Sequence, residues 1–330
     1  MVMYEDSIRK LYIEPTSMCN LNCKMCFRNS WIEEEQGLMS SEVISKIYKS
    51  VQSQKSIEKV VFAGMGEPLI HAKISEMVHH ISQMMKETEI ITNGTVLKES
   101  VSDNLIDAGL TFLWVSIDSS HIESSAQYSD VVFKNIEYFN RLRKGKCKLG
   151  FTFVLTNPSI DDLGRINEFA DRFNADQINL SQIIPCELIE NLNYDGRLPI
   201  GKTSRIDINE KYQPRLNYCP FIEDGCCFIK WNGEVVPCMQ LLHSSYTYLF
   251  NEKRKVMAYC FGNIKKQTLS DIWNSGKYRD FRKKVRNFEF PDCTLCDGCD
   301  DRKENRTDCM YNDIPTCGAC LWAQNIARCP

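Results

Sequence analysis

Cysteine dominates the chemistry available to this chain, with 17 among 330 residues. Three of them crowd into Cys19-Asn-Leu-Asn-Cys23-Lys-Met-Cys26. Thiolates at that spacing on a short loop can take three corners of a cuboidal [4Fe–4S] cluster and leave one iron without a protein ligand. An open iron is what a cluster needs to bind substrate rather than only carry electrons. The same spacing also allows a zinc knuckle whose fourth ligand lies elsewhere. Twelve further cysteines lie between Cys219 and Cys329: Cys219, Cys226-Cys227, Cys238, Cys260, Cys293-x2-Cys296-x2-Cys299, Cys309, Cys317-x2-Cys320 and Cys329. In a reducing compartment such a set points to metal rather than disulfides. Cys147 and Cys186 stand apart and read as small buried hydrophobes, and Cys260 can be read the same way. His79-His80 reads as structural or exposed.

These groups need a scaffold. At about 150 residues per domain the length predicts roughly two domains. With 43% hydrophobic and 25% charged residues the chain is neither disordered, collagen-like nor coiled coil. A net charge of -3 and a pI near 6.0 argue against a nucleic-acid partner. No run reaches the 18 or so apolar residues of a membrane helix. The opening MVMYEDSIRKLYIEP lacks the apolar stretch of a signal peptide. A cytoplasmic protein without a membrane partner is expected.

Short apolar runs alternate with helical patterns over the first 190 residues. Strands are predicted at Arg9–Glu14, Lys59–Ala63, Glu89–Thr92, Phe112–Ile117, Lys148–Leu155 and Gln177–Ile184. Between them fall helices at Ser40–Gln54, Ile74–Lys86, Leu97–Ala108, Val131–Lys144 and Leu163–Phe173. This alternation predicts an α/β fold of parallel βαβ units. Six strand–helix steps are too few for a closed eightfold barrel, so a partial barrel and an open doubly wound sheet both fit. Either one puts ligands at the C-terminal ends of the strands, where the first cysteine loop sits. Residues 191–218 read as a linker between a core at 1–190 and a Cys-rich module at 219–330. The basic run Arg279–Arg286 reads as a solvated helix face.

The CxxxCxxC loop after a first strand resembles the signature of the radical S-adenosylmethionine (SAM) superfamily. Four further segments resemble that family in order. Phe62-Ala-Gly64-Met-Gly66-Glu67-Pro68 follows the second strand and is similar to its Gly-Gly-Glu-Pro motif. Thr92-Asn93-Gly94 is similar to its Thr-Asn-Gly motif, and Val115-Ser116-Ile117-Asp118 to its Ser-Leu-Asp motif. Asn157 lies just beyond the fifth strand. The resemblance implies a partial (β/α)6 TIM-like barrel. It implies a [4Fe–4S] cluster on Cys19, Cys23 and Cys26 whose open iron chelates SAM. A low-potential donor of ferredoxin or flavodoxin type would reduce it, and SAM would break to methionine and a 5′-deoxyadenosyl radical. Gly64 and Gly66 would let the backbone approach the methionine amino group, with Glu67 offsetting its charge. Ser116, Asp118 and Asn157 would serve the carboxylate and ribose, and Gln182 the adenine.

Downstream, Cys219-x13-Gly233-x4-Cys238 and Phe261-Gly-Asn-Ile…Ser270-Asp-Ile-Trp273 resemble a small Cys-rich SPASM-type iron–sulfur domain. That resemblance implies one or two auxiliary [4Fe–4S] clusters. One would use Cys219, Cys226 or Cys227, Cys238 and Cys320. The other would use Cys293, Cys296, Cys309 and Cys329. The usual middle run C-x2-C-x5-C-x3-C is stretched here, so its third ligand is open among Cys299, Cys309 and Cys317. Zinc at one of these sites is the alternative. The tail PTCGACLWAQNIARCP resembles maturases of tungsten-cofactor oxidoreductases of the aldehyde:ferredoxin type. The implied partner is such an oxidoreductase. The alternatives are a SPASM-type enzyme acting on a peptide, by thioether formation, cross-linking or sulfatase Cys/Ser oxidation, or a non-catalytic iron–sulfur or zinc module.

Overall fold

A computed structural model describes residues 6–118, 127–155, 160–189, 192, 216–296 and 298–327. Asn157, Cys329 and most of the expected linker lie outside the described residues. So do the side chains of Asp118 and Gln182, whose backbones end two strands.

Six parallel strands form the core: β1 (Lys10–Ile13), β2 (Lys59–Phe62), β3 (Glu87–Thr92), β4 (Phe112–Asp118), β5 (Lys148–Leu155) and β6 (Gln177–Gln182). They lie side by side in chain order. A doubly wound sheet would reverse direction at a switch point, whereas a barrel progresses one way. The order therefore selects the partial barrel. Helices α1 (Ser41–Ser53), α2 (Ile74–Ser82), α3 (Glu99–Asp107), α4 (Gln127–Arg143) and α5 (Ile160–Arg172) connect the strands. Ser40 caps α1 by accepting from the Val43 N–H, and Val43, Ile44, Ile47 and Val51 form its buried stripe. Phe151 and Phe153 of β5 pack edge-on against Phe169 in α5. Since strand side chains alternate, Thr152 between them points away from the helices, toward the concave face.

The C-terminal segment does not stand apart from this sheet. Strand β7 (Cys226–Ile229) pairs parallel with β1, setting Cys226 opposite Lys10 and Cys227 opposite Leu11. Strands β8 (Glu234–Val236) and β11 (Gly262–Asn263) continue the sheet antiparallel beyond it. A hairpin of β9 (Ser245–Leu249) and β10 (Glu252–Val256) stands separately. Helices α6 (Pro220–Glu223), α7 (Leu269–Trp273) and α8 (Gly276–Asn287) complete the module.

The basic run on α8 is not wholly solvated. Arg282 is fully buried, donates to both Asp6 carboxylate oxygens and stacks 3.8 Å from the Trp273 ring. This clamps the segment leading into β1 onto the C-terminal module. His79 and His80 are exposed, with His80 stacked on Tyr48.

Candidate functional site

The first cysteine loop leaves β1 at the C-terminal end of the barrel, and all three of its thiols are half-buried. The Cys26 N–H donates to the Cys23 carbonyl, turning the loop back on itself. Burial pushes the Cys26 thiol up, and the charge of Cys19 adds to it, so these two sulfurs feel each other. Two N–H groups approach the Cys19 sulfur: the Leu21 amide at 3.4 Å and Asn93 Nδ2 at 3.8 Å. Donors to a ligating sulfur favour its thiolate and tune a cluster's potential. Cys186, expected in the core, is instead half-buried beside this loop, 3.8 Å from the Cys26 carbonyl oxygen. Only the fold brings it there, because 160 residues separate the two.

The loops after β2 and β3 close on this one. The Glu67 N–H donates to the Met18 carbonyl at 2.8 Å. A Cβ on Gly66 would strike the carbonyl oxygens of Thr16 and Met18, and one on Gly64 (φ +147°) would lie 2.5 Å from Glu14 Cγ. The space freed by both glycines is thus taken by the protein itself, to seat the loop against the cysteine segment. Glu67 is buried. Its Oε1 accepts from the Leu69 N–H and the Thr92 hydroxyl, and its Oε2 from the Asn93 N–H at 2.7 Å. Burial pushes its carboxyl up, against those three hydrogen bonds. Rather than reaching out for a positive charge, Glu67 ties the two loops together. Asn93 and Thr95 then carry the tie to Asn20, next to Cys19.

Ser116 on β4 sits in register with Thr152 on β5, and Thr152 with Asn179 on β6. This polar row crosses the concave face. Thr152 Oγ1 and Asn179 Nδ2 are buried without a hydrogen-bond partner. An orphaned buried polar group costs about 1–3 kcal/mol, which a hydrogen-bonding ligand would offset. Neither residue carries a local sequence signal beyond being polar within an apolar strand.

The C-terminal thiols fall into sets. Burial pushes Cys219 and Cys317 well up, and Cys238 and Cys320 add to the effect on each. Cys320 Sγ also contacts Gln240 Oε1 at 2.9 Å. Cys296 and Cys309 act in the same way on Cys293, which burial pushes up to about 11. The two sets adjoin, since a Cβ on Gly318 would meet Cys293 Sγ at 2.8 Å. Thiols crowded this way are costly as bare thiolates and suit a cationic metal core. Among the described residues no three His, Cys, Asp or Glu converge on a single ion. Sulfurs at separate corners of a cube have no need to.

Arg254 gives a second indication. It is buried, donates from Nε to the Arg302 carbonyl at 2.9 Å, and has no partner for its buried Nη1. The thiols acting on it are Cys293, Cys317 and Cys320. A buried cation without a carboxylate is costly unless an anion lies beside it, as a thiolate-ligated cluster would.

Cys226 and Cys227 do not join these sets. Both are strand residues of β7, held at about 12 by burial, and Cys227 lies beside Tyr278. Cys317 lies close to Cys219, Cys238 and Cys320, the three with which the resemblance implies Cys226 or Cys227. Cys147 is buried as expected, at about 12, whereas Cys260 is exposed.

Comparison with known proteins agrees with this geometry. Residues 13–172 match the radical SAM superfamily model, and residues 219–300 match SPASM, an iron–sulfur cluster-binding domain. The tungsten-containing aldehyde ferredoxin oxidoreductase cofactor-modifying protein of Pyrococcus furiosus is 30% identical over 98% of this chain and 97% of its own length. A probable GTP 3',8-cyclase of Methanococcus maripaludis is 30% identical over 56% of this chain and 62% of its own. Among solved structures, SuiB of Streptococcus suis bound to S-adenosylmethionine aligns with TM-score 0.60 at 17% identity, covering 84% of this chain and 68% of SuiB. BtrN in complex with AdoMet and 2-DOIA aligns with TM-score 0.53 at 17% identity, covering 89% and 93%. These two likenesses establish the fold. No helix among the described residues is long and apolar enough to cross a membrane. The cysteine loop, the barrel order and an end-to-end relative together make this chain a radical SAM enzyme with a SPASM iron–sulfur domain.

Proposed function

We propose that this enzyme matures a tungsten-cofactor oxidoreductase of the aldehyde:ferredoxin type, acting on its cofactor or on a protein bound to it. The observation that carries this reading is the 30% identity to the Pyrococcus furiosus cofactor-modifying protein, which runs through both domains and the tail. When bound, a three-cysteine cluster with SAM supplies a 5′-deoxyadenosyl radical that abstracts hydrogen from a substrate. The chain's own groups hold and shape that site. Cys19, Cys23 and Cys26 are the three ligands, and the Leu21 and Asn93 N–H groups favour the charged Cys19 sulfur. Glu67 keeps the loops after β2 and β3 at a fixed spacing. Ser116, Thr152 and Asn179 offer hydrogen bonds on the concave face, to SAM or to the substrate. Asp118, Asn157 and Gln182 complete the cofactor contacts.

In the C-terminal module Cys219, Cys238, Cys317 and Cys320 form one auxiliary ligand set. Cys293, Cys296 and Cys309 form the other, its fourth ligand coming from Cys299 or Cys329. Arg254 offsets their negative charge. A ferredoxin- or flavodoxin-type donor in the cytoplasm supplies the electron.

The test uses a tungsten oxidoreductase from the same organism, produced anaerobically with this protein, without it, and with its Cys26→Ala variant. Active oxidoreductase only with the intact protein is the expected result. Equal activity in all three preparations would overturn the reading and favour a peptide substrate.

A further inference from the structure

The buried side chains of Glu14, Lys230 and His243 meet the partly buried Glu34 where the C-terminal module joins the barrel. His243 follows the short turn at Met239–Leu241 and is fully buried. Its Nδ1 lies 2.8 Å from Glu34 Oε2, and its Nε2 lies 2.9 Å from Glu14 Oε1. A neutral imidazole has one N–H and one lone pair, so it cannot satisfy a carboxylate at each nitrogen. The imidazolium can. Lys230 Nζ reaches Glu34 Oε2 at 2.9 Å, and the Ser244 N–H donates to Glu34 Oε1 at 2.7 Å. Two carboxylates and two cations balance, and Trp31 stacks on the imidazole at 4.3 Å.

The network does not end at the module boundary. Glu14 closes the first strand just ahead of the cysteine loop, and its Oε1 also accepts the Met65 N–H at 3.0 Å. Met65 lies between the two glycines of the loop after β2. A continuous polar line therefore runs from the C-terminal module through the imidazolium and Glu14 to that loop.

We infer that His243 is a positioning residue: it locks Glu14 against the Met65 N–H, so that the loop at residues 64–67 is shaped to receive SAM only while the C-terminal module is docked. This rests on the reading, implied by the family resemblance, that the backbone of residues 64–67 approaches the methionine amino group of SAM. Glu14 then takes one donor from the C-terminal module, His243 Nε2, and one from the barrel loop, the Met65 N–H, so SAM binding and module docking are linked. Linkage is reciprocal, so SAM must tighten the module by the factor by which the module tightens SAM.

Reciprocity gives a test on the unaltered, fully reconstituted protein. Hydrogen–deuterium exchange is followed over residues 64–67 and 241–246 with and without saturating SAM. Exchange should slow at both. Slowing at 64–67 with none at 241–246 overturns the linkage while leaving the loop reading intact. No slowing at 64–67 overturns both. The second arm is His243→Gln, whose amide keeps its donors at one end and turns a carbonyl oxygen to the other, so it cannot donate from both sides as His243 does. In SAM cleavage its KM for SAM should rise about tenfold with kcat within about twofold, as loss of ground-state positioning requires. A folded, iron-loaded His243→Gln with an unchanged KM would overturn the proposal.

Discussion

The two ends of this molecule use cysteine in opposite ways. At the front, three half-buried thiols sit on an open loop, surrounded by the loop's own Leu21 amide and, from beyond neighbouring strand ends, by Asn93 and Cys186. At the back, Cys219, Cys317 and Cys320 are buried and close to one another, and the last two lie close to the cation of Arg254. In the proposed reading the front set of three thiols leaves a coordination position for a substrate, and the rear sets of four do not. Ligand count and access, rather than ligand type, set the division between chemistry and electron transfer.

Two glycines separate the ends most sharply. Gly66→Ala would drive a Cβ into the Thr16 and Met18 carbonyls, and Gly318→Ala would drive one into the Pro291 carbonyl and Cys293 Sγ. With about twelve irons in three four-iron clusters, Gly66→Ala should lose the front third and Gly318→Ala the auxiliary share. Iron and sulfide analysis after anaerobic reconstitution checks both. Equal losses in the two variants would erase the distinction.

Next in size is the ligand exchange at the back. Cys317→Ser should remove about four irons, whereas Cys227→Ser should remove none, because Cys227 is a strand residue beside Tyr278. The reverse pattern would restore the pairing that family spacing implies.

Arg254→Met should leave iron content near normal and lower an auxiliary reduction potential by tens of millivolts, since about 59 mV corresponds to a tenfold change for one electron. Redox titration followed by EPR measures it. An unmoved potential would detach Arg254 from the clusters.

The smallest expected effect is on pH. Burial alone would raise Glu34, but His243, the Ser244 N–H and Lys230 hold it at about 2. Burial alone would lower His243, but Glu14 and Glu34 hold it above its ordinary 6.5. The stability from Glu34 is present above its ordinary 4.5 and is lost as pH falls toward about 2. That from His243 is present below 6.5 and is lost as pH rises through its raised folded value. The thermal midpoint should therefore peak between those ordinary values and fall on both sides. A profile in His243→Gln that still declines on the alkaline side as in the unaltered protein would remove His243 from the cause.

Much of the barrel is legible in the sequence. The bounds of β5 coincide with its apolar run, and Ser40 announces α1 by capping it. The front triplet is legible because its spacing is local. What escaped depends on distance. The run Cys226–Ile229 is apolar and looks like any buried strand, so nothing local says that it pairs with β1. In a cysteine-rich context its two thiols invite a ligand reading, and the Cys227→Ser variant tests it. His243 and Glu14 are 229 residues apart and share no motif. Glu14 carried one unread signal, a carboxylate at the end of an apolar barrel strand, where chemistry collects. Arg282 looked solvated because its charged neighbours on α8 are, and only the fold brings it to Asp6.

The central claim is that the front loop is the site of reductive SAM cleavage. The direct measurement is 5′-deoxyadenosine formation by the fully reconstituted, chemically reduced protein and by its Cys26→Ala variant under strict anaerobiosis. Formation by the intact protein and none by Cys26→Ala, with the auxiliary iron retained, is the expected result. Equal formation by both, or none by an intact protein with its clusters filled, would contradict it.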